Sequence, residues 1–378
     1  MPYTIKKNIN FFKQEKNNYI LNNIYKKFNS DLWINGKIIK KVEQKIKENL
    51  KTTFYPSSCN SGTDALKLAL LLDKDPNKDI YLTTPFSYIA SSSMIKFLGL
   101  NVIYVDTNKY NFLLDLDKLE DLLKKLPRNI KIRIKGIIFV ELFGYTTNLR
   151  RLRKIADKNN LSLIGDCAQS FGSKYLNLST VNYYDYSAIS FYPTKIISAY
   201  GDAGLLIIKD KKKYKKSLLL KNNGHSIKDK SDCKLIGFNS RMDSIQAYII
   251  GENLREIRKI INRKKYIFNY YNNRLKNFVT LPIFEKNIIQ NNYIYSFYLK
   301  KNLRSKFINY MKKNGIQCQV FYKKLLSENK VLKPILNTTI KNAIINKQNL
   351  VAIPSNQYLT NAEIKKISDT VIDFTIKY

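Results

Sequence analysis

The chain has 378 residues, of which 44% are hydrophobic, and 66 lysines and arginines against 29 acidic residues give it a formal net charge of +37. Length and apolar content together exclude a disordered chain and leave room for one large domain plus a smaller one. One histidine, His225, excludes a multi-histidine metal site within one chain, and four scattered cysteines (Cys59, Cys167, Cys233, Cys318) suggest neither a zinc knuckle nor a disulfide framework.

In chain order, the opening stretch "MPYTIKKNINFFKQEKNN" has no apolar leader, and no later run approaches the ~18 apolar residues of a membrane span. A soluble, cytoplasmic protein is expected. "NSGTDALKLALLL" puts Ala65, Leu66, Ala69 and Leu70 on one helical face, so a helix begins near Thr63 with Ser61, Gly62 and Thr63 at its start. "IYLTTPF", "NVIYVD", "IKGIIFVELFG", "LSLIGD", "YSAISF" and "GLLIIKD" read as short buried strands. Helix-length stretches such as "LDKLEDLLKKL" and "NLRRLRKIADKNN" lie between them. That alternation predicts an α/β domain whose mainly parallel sheet is flanked by helices, with functional residues at the carboxyl ends of the strands.

"IKDKKKYKKS" is the densest basic stretch and reads as a solvated helix start or turn. The other lysines are spread through the chain among asparagine and isoleucine, as compositional drift would leave them. The resulting positive field favours anionic small substrates such as nucleotide diphosphates. His225, in "NNGHSIKDKSD", reads as a solvent-exposed bystander. From Gly237 the pattern changes to a long helical stretch and a mixed α+β tail. The expected division is a large domain over 1–250 and a smaller carboxyl-terminal α+β domain over 251–378.

Three segments carry chemistry. Glycine and a helix amino terminus at Ser61–Thr63 suit an anion, although on this stretch alone a plain helix cap is the preferred reading. "LSLIGDCAQSFG" delivers Asp166 to a strand end, followed by Gln169. "YSAISFYPTK" brings Ser190 and Lys195 to the same edge, and the "GDAG" turn follows. Pyridoxal 5'-phosphate uses all these parts: a lysine to condense with its aldehyde, a carboxylate for its ring nitrogen, and hydroxyls with helix amides for its phosphate. The same lysine then serves as the acid and base that moves the substrate proton.

"SGTDAL", "GDCAQSFG", "SFYPTK", "GDAG" and "GFNSRMDSIQA", in that order, resemble the successive signatures of the DegT/DnrJ/StrS sugar aminotransferases. "WINGKIIKKVEQKI", "KKNGIQCQVFY" and "IPSNQYLTNAEI" extend the resemblance over almost the full length. It implies a fold-type I, pyridoxal-phosphate enzyme that moves an amino group from L-glutamate to a nucleotide-diphosphate keto-sugar in amino-sugar biosynthesis. The members it looks most similar to aminate C3.

Carried over by position, the resemblance makes Lys195 the cofactor-bound lysine and Asp166 the partner of the ring nitrogen. Gln169 falls near the ring hydroxyl, and Gly62, Thr63 and Ser190 fall at the phosphate. Tyr88 falls where the family stacks an aromatic ring on the cofactor, the competing reading being a core tyrosine. Asn239 matches a residue that reaches the partner subunit's phosphate, which implies a homodimer with shared sites. Nucleotide contacts are expected in the carboxyl-terminal half, with Tyr322 as one candidate.

Two departures concern loop shape: Asn223 stands where the family has histidine, and the segment after "GDCAQSFG" has lost its glycines. Two alternatives remain on sequence grounds. One is a polyanion-binding protein on the same fold. The other is a dehydratase using the same cofactor, against which Lys195 argues, because such relatives carry histidine there.

Overall fold

The predicted alternation yields, in the computed structural model, a seven-stranded sheet with helices packed against it. The structure describes residues 8–13, 17–28, 32–226 and 231–378. Residues 1–7, read above for want of an apolar leader, and 227–230 of the His225 loop lie outside them.

The strands are β1 (Tyr55–Cys59), β2 (Ile80–Thr83), β3 (Asn101–Tyr104), β4 (Ile134–Val140), β5 (Ser162–Asp166), β6 (Tyr186–Ser190) and β7 (Gly204–Ile208). Their spatial order is β1-β7-β6-β5-β4-β2-β3. Strands β2 to β6 run parallel, and β7 runs antiparallel to both its neighbours. The sheet is therefore mainly parallel, as expected. Ile137 and Phe139 join one apolar cluster and Ile138 the other, because successive side chains of β4 point to opposite faces. Covered on both faces, the strands read as continuous apolar runs. β1 is the exception. Its sequence, YPSSC, has a proline and two serines, which suits the sheet edge it occupies and hides it from a search for apolar runs.

Helix α1 (Gly62–Asp73) follows β1 and is capped by Ser61, whose Oγ accepts the Asp64 N–H at 3.1 Å. Two glycines seat its amino end on the sheet. A Cβ at Gly204 would stand 2.2 Å from the carbonyl carbon and oxygen of Ser61, and one at Gly62 would stand 2.7 Å from Ser190 Cβ. Gly204 in turn pairs with Cys59 on one side and Ser190 on the other. The ends of β1 and β6, the start of β7 and the α1 terminus thus converge on one point.

Helix α2 (Ala90–Phe97) follows β2. The long helical stretch is interrupted: α3 (Ser244–Asn253) and α4 (Ile257–Leu275) are separated by a 3-10 turn at Leu254–Glu256. Residue 250, the expected domain boundary, falls inside α3. Beyond α4 the tail is α+β, with the antiparallel pair β8 (Tyr295–Tyr298) and β9 (Leu350–Ile353) among helices. The glycine-poor segment after Gly172 forms a small hairpin turning through Leu176 (φ 50°) and Asn177 (φ 63°), a backbone conformation that glycine would enter at lower cost. The basic "KDKKKYKKS" stretch does open a helix, Lys211–Leu220, capped by Asp210.

The tail is fastened to α4 by buried polar contacts. Lys264 Nζ donates to the Ser355 carbonyl at 2.8 Å, and Tyr271 OH donates to the Pro354 carbonyl at 2.8 Å. Burial lowers the Lys264 pKa to about 7. Above that pH the unfolded chain binds a proton that the folded chain does not, up to the ordinary lysine value of 10.5. Wild type should therefore gain stability relative to Lys264→Met as pH rises through this window. Denaturant unfolding of both proteins across the window checks it, and a constant difference would contradict it.

Candidate active site

Where these elements converge, a cavity of about 400 Å³ opens at the carboxyl edge of the sheet. Gly62, Thr63, Tyr88, Asp166, Gln169, Ser190 and Lys195 all line it. Asn239 does not. It is exposed and lies outside this cavity, although its neighbour Ser240 donates to Asp64 Oδ2 at 2.7 Å and accepts from the Asn60 amide at 3.2 Å. The cap of α1 and the Asn239 segment are thus tied together.

Asp166 ends β5 and is buried. Burial raises its pKa, while the Ser91 hydroxyl, the Ala168 amide and the Lys195 charge oppose that rise. Ser91 Oγ donates to Oδ2 at 2.8 Å, and the Ala168 N–H donates to Oδ1 at 3.2 Å. Lys195 sits beyond the end of β6 in a turn closed by its own N–H to the Tyr192 carbonyl at 2.8 Å. Its Nζ stands 5.1 Å from the centroid of the Tyr293 ring, and that ring's hydroxyl lies 3.1 Å from Thr194 Oγ1. Among the described residues, Lys195 Nζ has no hydrogen-bond partner, so the amine is held over an aromatic face with its nitrogen available.

Gln169 is oriented by its surroundings. Its Oε1 accepts the Phe143 N–H at 2.7 Å, and Asn291 Nδ2 donates to its backbone carbonyl at 2.9 Å. Phe143 holds φ 58°, a strained conformation for a bulky residue, and this turns its amide toward the glutamine. With Oε1 engaged, the Gln169 amide nitrogen is left to meet Tyr322, whose hydroxyl burial pushes well above the usual phenol range. Tyr322 and Phe321 reach the cavity from the tail.

At the other end, the amides of Gly62 and Thr63 have no protein partner among the described residues, as the first amides of a helix do not. With the Ser190 and Thr63 hydroxyls beside them, they form a cradle whose seat against the sheet needs Gly62 and Gly204 to lack a Cβ. An amine, a buried carboxylate and an anion cradle in one cavity fit pyridoxal phosphate. The Tyr88 side chain is 58% exposed and lies at the cavity wall, so it is not a core tyrosine.

Sequence reasoning missed Ser87, Ser91, Tyr192 and Tyr293. The serines had a readable signal, since a spacing of four on the turn entering α2 places them on one face. Tyr293 had none, because its place depends on how the tail folds back. His225 is half-buried and not exposed as expected; its Nδ1 lies 3.3 Å from the Asp232 carbonyl, and it lies outside the cavity. All four cysteines are free, and among the described residues no cluster could hold a metal ion.

A family model described as the DegT/DnrJ/EryC1/StrS aminotransferase family matches residues 14–372. The chain is 30% identical to a GDP-perosamine synthase of Escherichia coli O157:H7, over 65% of this chain and 66% of that enzyme. It is 28% identical to a UDP-2-acetamido-2-deoxy-3-oxo-D-glucuronate aminotransferase of Pseudomonas aeruginosa, over 83% and 84% of the two chains. The crystal structure of a DegT DnrJ EryC1 StrS aminotransferase from Brucella abortus superposes with a TM-score of 0.87 at 25% identity, covering 95% of each chain.

Gly62→Ala should push the α1 terminus off Ser190 and weaken retention of pyridoxal phosphate about tenfold, equivalent to ~1.4 kcal/mol. Cofactor dissociation followed by absorbance measures it, and unchanged retention would show that the cradle does not hold the phosphate.

Proposed function

Because the chain belongs to the DegT/DnrJ/EryC1/StrS aminotransferase family, whose members depend on pyridoxal phosphate, we propose that it moves an amino group from L-glutamate to a nucleotide-diphosphate keto-sugar. The observation that carries this reading is one cavity shared by Lys195, Asp166 and the amides of Gly62 and Thr63, which have no partner among the described residues. Amination at C3 is the closer alternative, supported by the 3-oxo sugar in the name of the Pseudomonas aeruginosa relative. Such a reaction belongs to amino-sugar biosynthesis.

When bound, the cofactor supplies a protonated ring that draws electrons from the carbon losing its proton. Every other task falls to side chains. The Asp166 carboxylate would accept the ring N–H and favour the positive charge there. Lys195 Nζ takes the proton from the substrate carbon and later returns one. Gln169 would meet the ring hydroxyl, and Tyr88 would supply the aromatic contact to the ring. Gly62, Thr63 and Ser190 would hold the phosphate.

The division into a cofactor domain, 1–250, and a smaller one, 251–378, remains part of this reading on the change from parallel sheet to α+β tail, with the break moved past α3 because residue 250 lies within that helix. Tyr293, Phe321 and Tyr322 bring the second segment to the cavity. Asn239 serves the phosphate of a second copy in this reading. Exposed Leu32, Trp33, Phe97 and Ile236 support such a partner. Residues 33–34 pair with Asp243 and Ser244, and Lys67 stacks on both Phe97 and Phe238, so these apolar groups sit on segments joined to the stretch that carries Asn239. No helix among the described residues is long and apolar enough to cross a membrane, and a cytoplasmic place is part of the proposal.

Lys195→Ala should remove the borohydride-sensitive absorbance of the bound cofactor and lower amino transfer about 10³-fold. Mass spectrometry of glutamate-dependent amination across 3-keto and 4-keto nucleotide sugars should show the 3-keto members aminated first. Cofactor retention with no sugar aminated would refute the substrate class.

A further inference from the structure

The mechanism above uses Asp166 but leaves unexplained the two serines behind it. Ser87 and Ser91 are both buried, and they sit four residues apart where the chain passes from β2 into α2. Ser91 Oγ lies 2.8 Å from Asp166 Oδ2 and 2.8 Å from Ser87 Oγ. A hydroxyl has one proton to donate. An ionised Asp166 can only accept, so the Ser91 proton goes to Oδ2 and the second contact is donated by Ser87. The chain of donors therefore runs in one direction, from Ser87 at the cavity wall through Ser91 to the carboxylate.

We propose that Ser91, itself oriented by Ser87, is a positioning residue that holds the Asp166 carboxylate in one orientation in the cavity. The inference rests on the reading of Asp166 as the ring-nitrogen partner. With Ser91 donating to Oδ2 and the Ala168 amide to Oδ1, both oxygens are tethered and the carboxylate cannot swing. Each oxygen keeps a lone pair for a further donor. Ser91 is also the largest influence opposing the effect of burial on this group, ahead of the Ala168 amide and the Lys195 charge. Removing the Ser91 hydroxyl leaves a buried carboxylate with one hydrogen bond, and burial then favours the protonated acid. A protonated Asp166 cannot hold the ring N–H.

The test uses full-length protein and reads two quantities: the dissociation constant for pyridoxal phosphate and the pH dependence of the bound cofactor's absorbance. Ser91→Ala should weaken binding about tenfold and move the spectral transition to higher pH, as expected when a hydrogen bond to a buried charge is lost. Ser91→Thr, which keeps the hydroxyl, should restore both. Ser87→Ala should show a smaller change in the same direction. In an Asp166→Asn background the carboxylate is gone, and Ser91→Ala should then change the constant by less than about twofold. Equal losses in both backgrounds would assign Ser91 a merely structural role and overturn the proposal, as would wild-type behaviour of Ser91→Ala. Failure of wild type to bind the cofactor would overturn the functional reading as well, so the two failures are distinct.

Discussion

A carboxylate removed from water costs several kcal/mol unless protein groups replace the lost solvent, and the site is organised around meeting that requirement at Asp166. Strand β5 lies in the middle of the sheet, with β4 and β6 on either side, and its last residue is buried at the cavity wall. A side-chain hydroxyl, a backbone amide and the charge of Lys195 take the place of water. Each comes from a different element: α2, the turn after β5, and the turn after β6. Moving any of these elements would leave the charge uncompensated, which links the packing of the domain to the state of one acid.

The opposite end of the cavity depends on close approach. Gly62 and Gly204 are two glycines whose lack of a side chain lets α1 touch the sheet where β1, β6 and β7 meet. The helix amides then face the same cavity as the amine and the acid. The antiparallel course of β7 matters here, because it brings Gly204 of the "GDAG" turn alongside Ser190 and Cys59 at the functional edge.

Lys195 is distinguished from the other lysines by what it lacks. Lys221 and Lys264 are also withdrawn from solvent, but each donates its Nζ–H to a main-chain carbonyl, Ser58 at 2.5 Å and Ser355 at 2.8 Å, and each fastens the fold. Lys195 meets an aromatic face and a carboxylate's field, with no hydrogen-bond acceptor at its nitrogen among the described residues. An amine so placed is free to form a bond. The large positive charge of the chain is a property of the surface and plays no part in that distinction.

Several features were legible in the chain alone. Six of the seven sheet strands announced themselves as apolar runs, because a strand covered on both faces must be apolar throughout. Lys195, Asp166 and the α1 terminus were readable because strand ends and helix starts are local features, set by neighbours within a few residues. Contacts between distant segments were not readable. The edge strand β1 carries too few apolar residues to stand out, and the direction of β7 is not encoded in its own pattern. Tyr293 and Tyr322 enter the cavity only because the tail folds back over α4, and Ser91 meets Asp166 across 75 positions of chain. Periodicity records the environment of each residue, apolar or polar, whereas the identity of its partner is decided when the chain closes on itself.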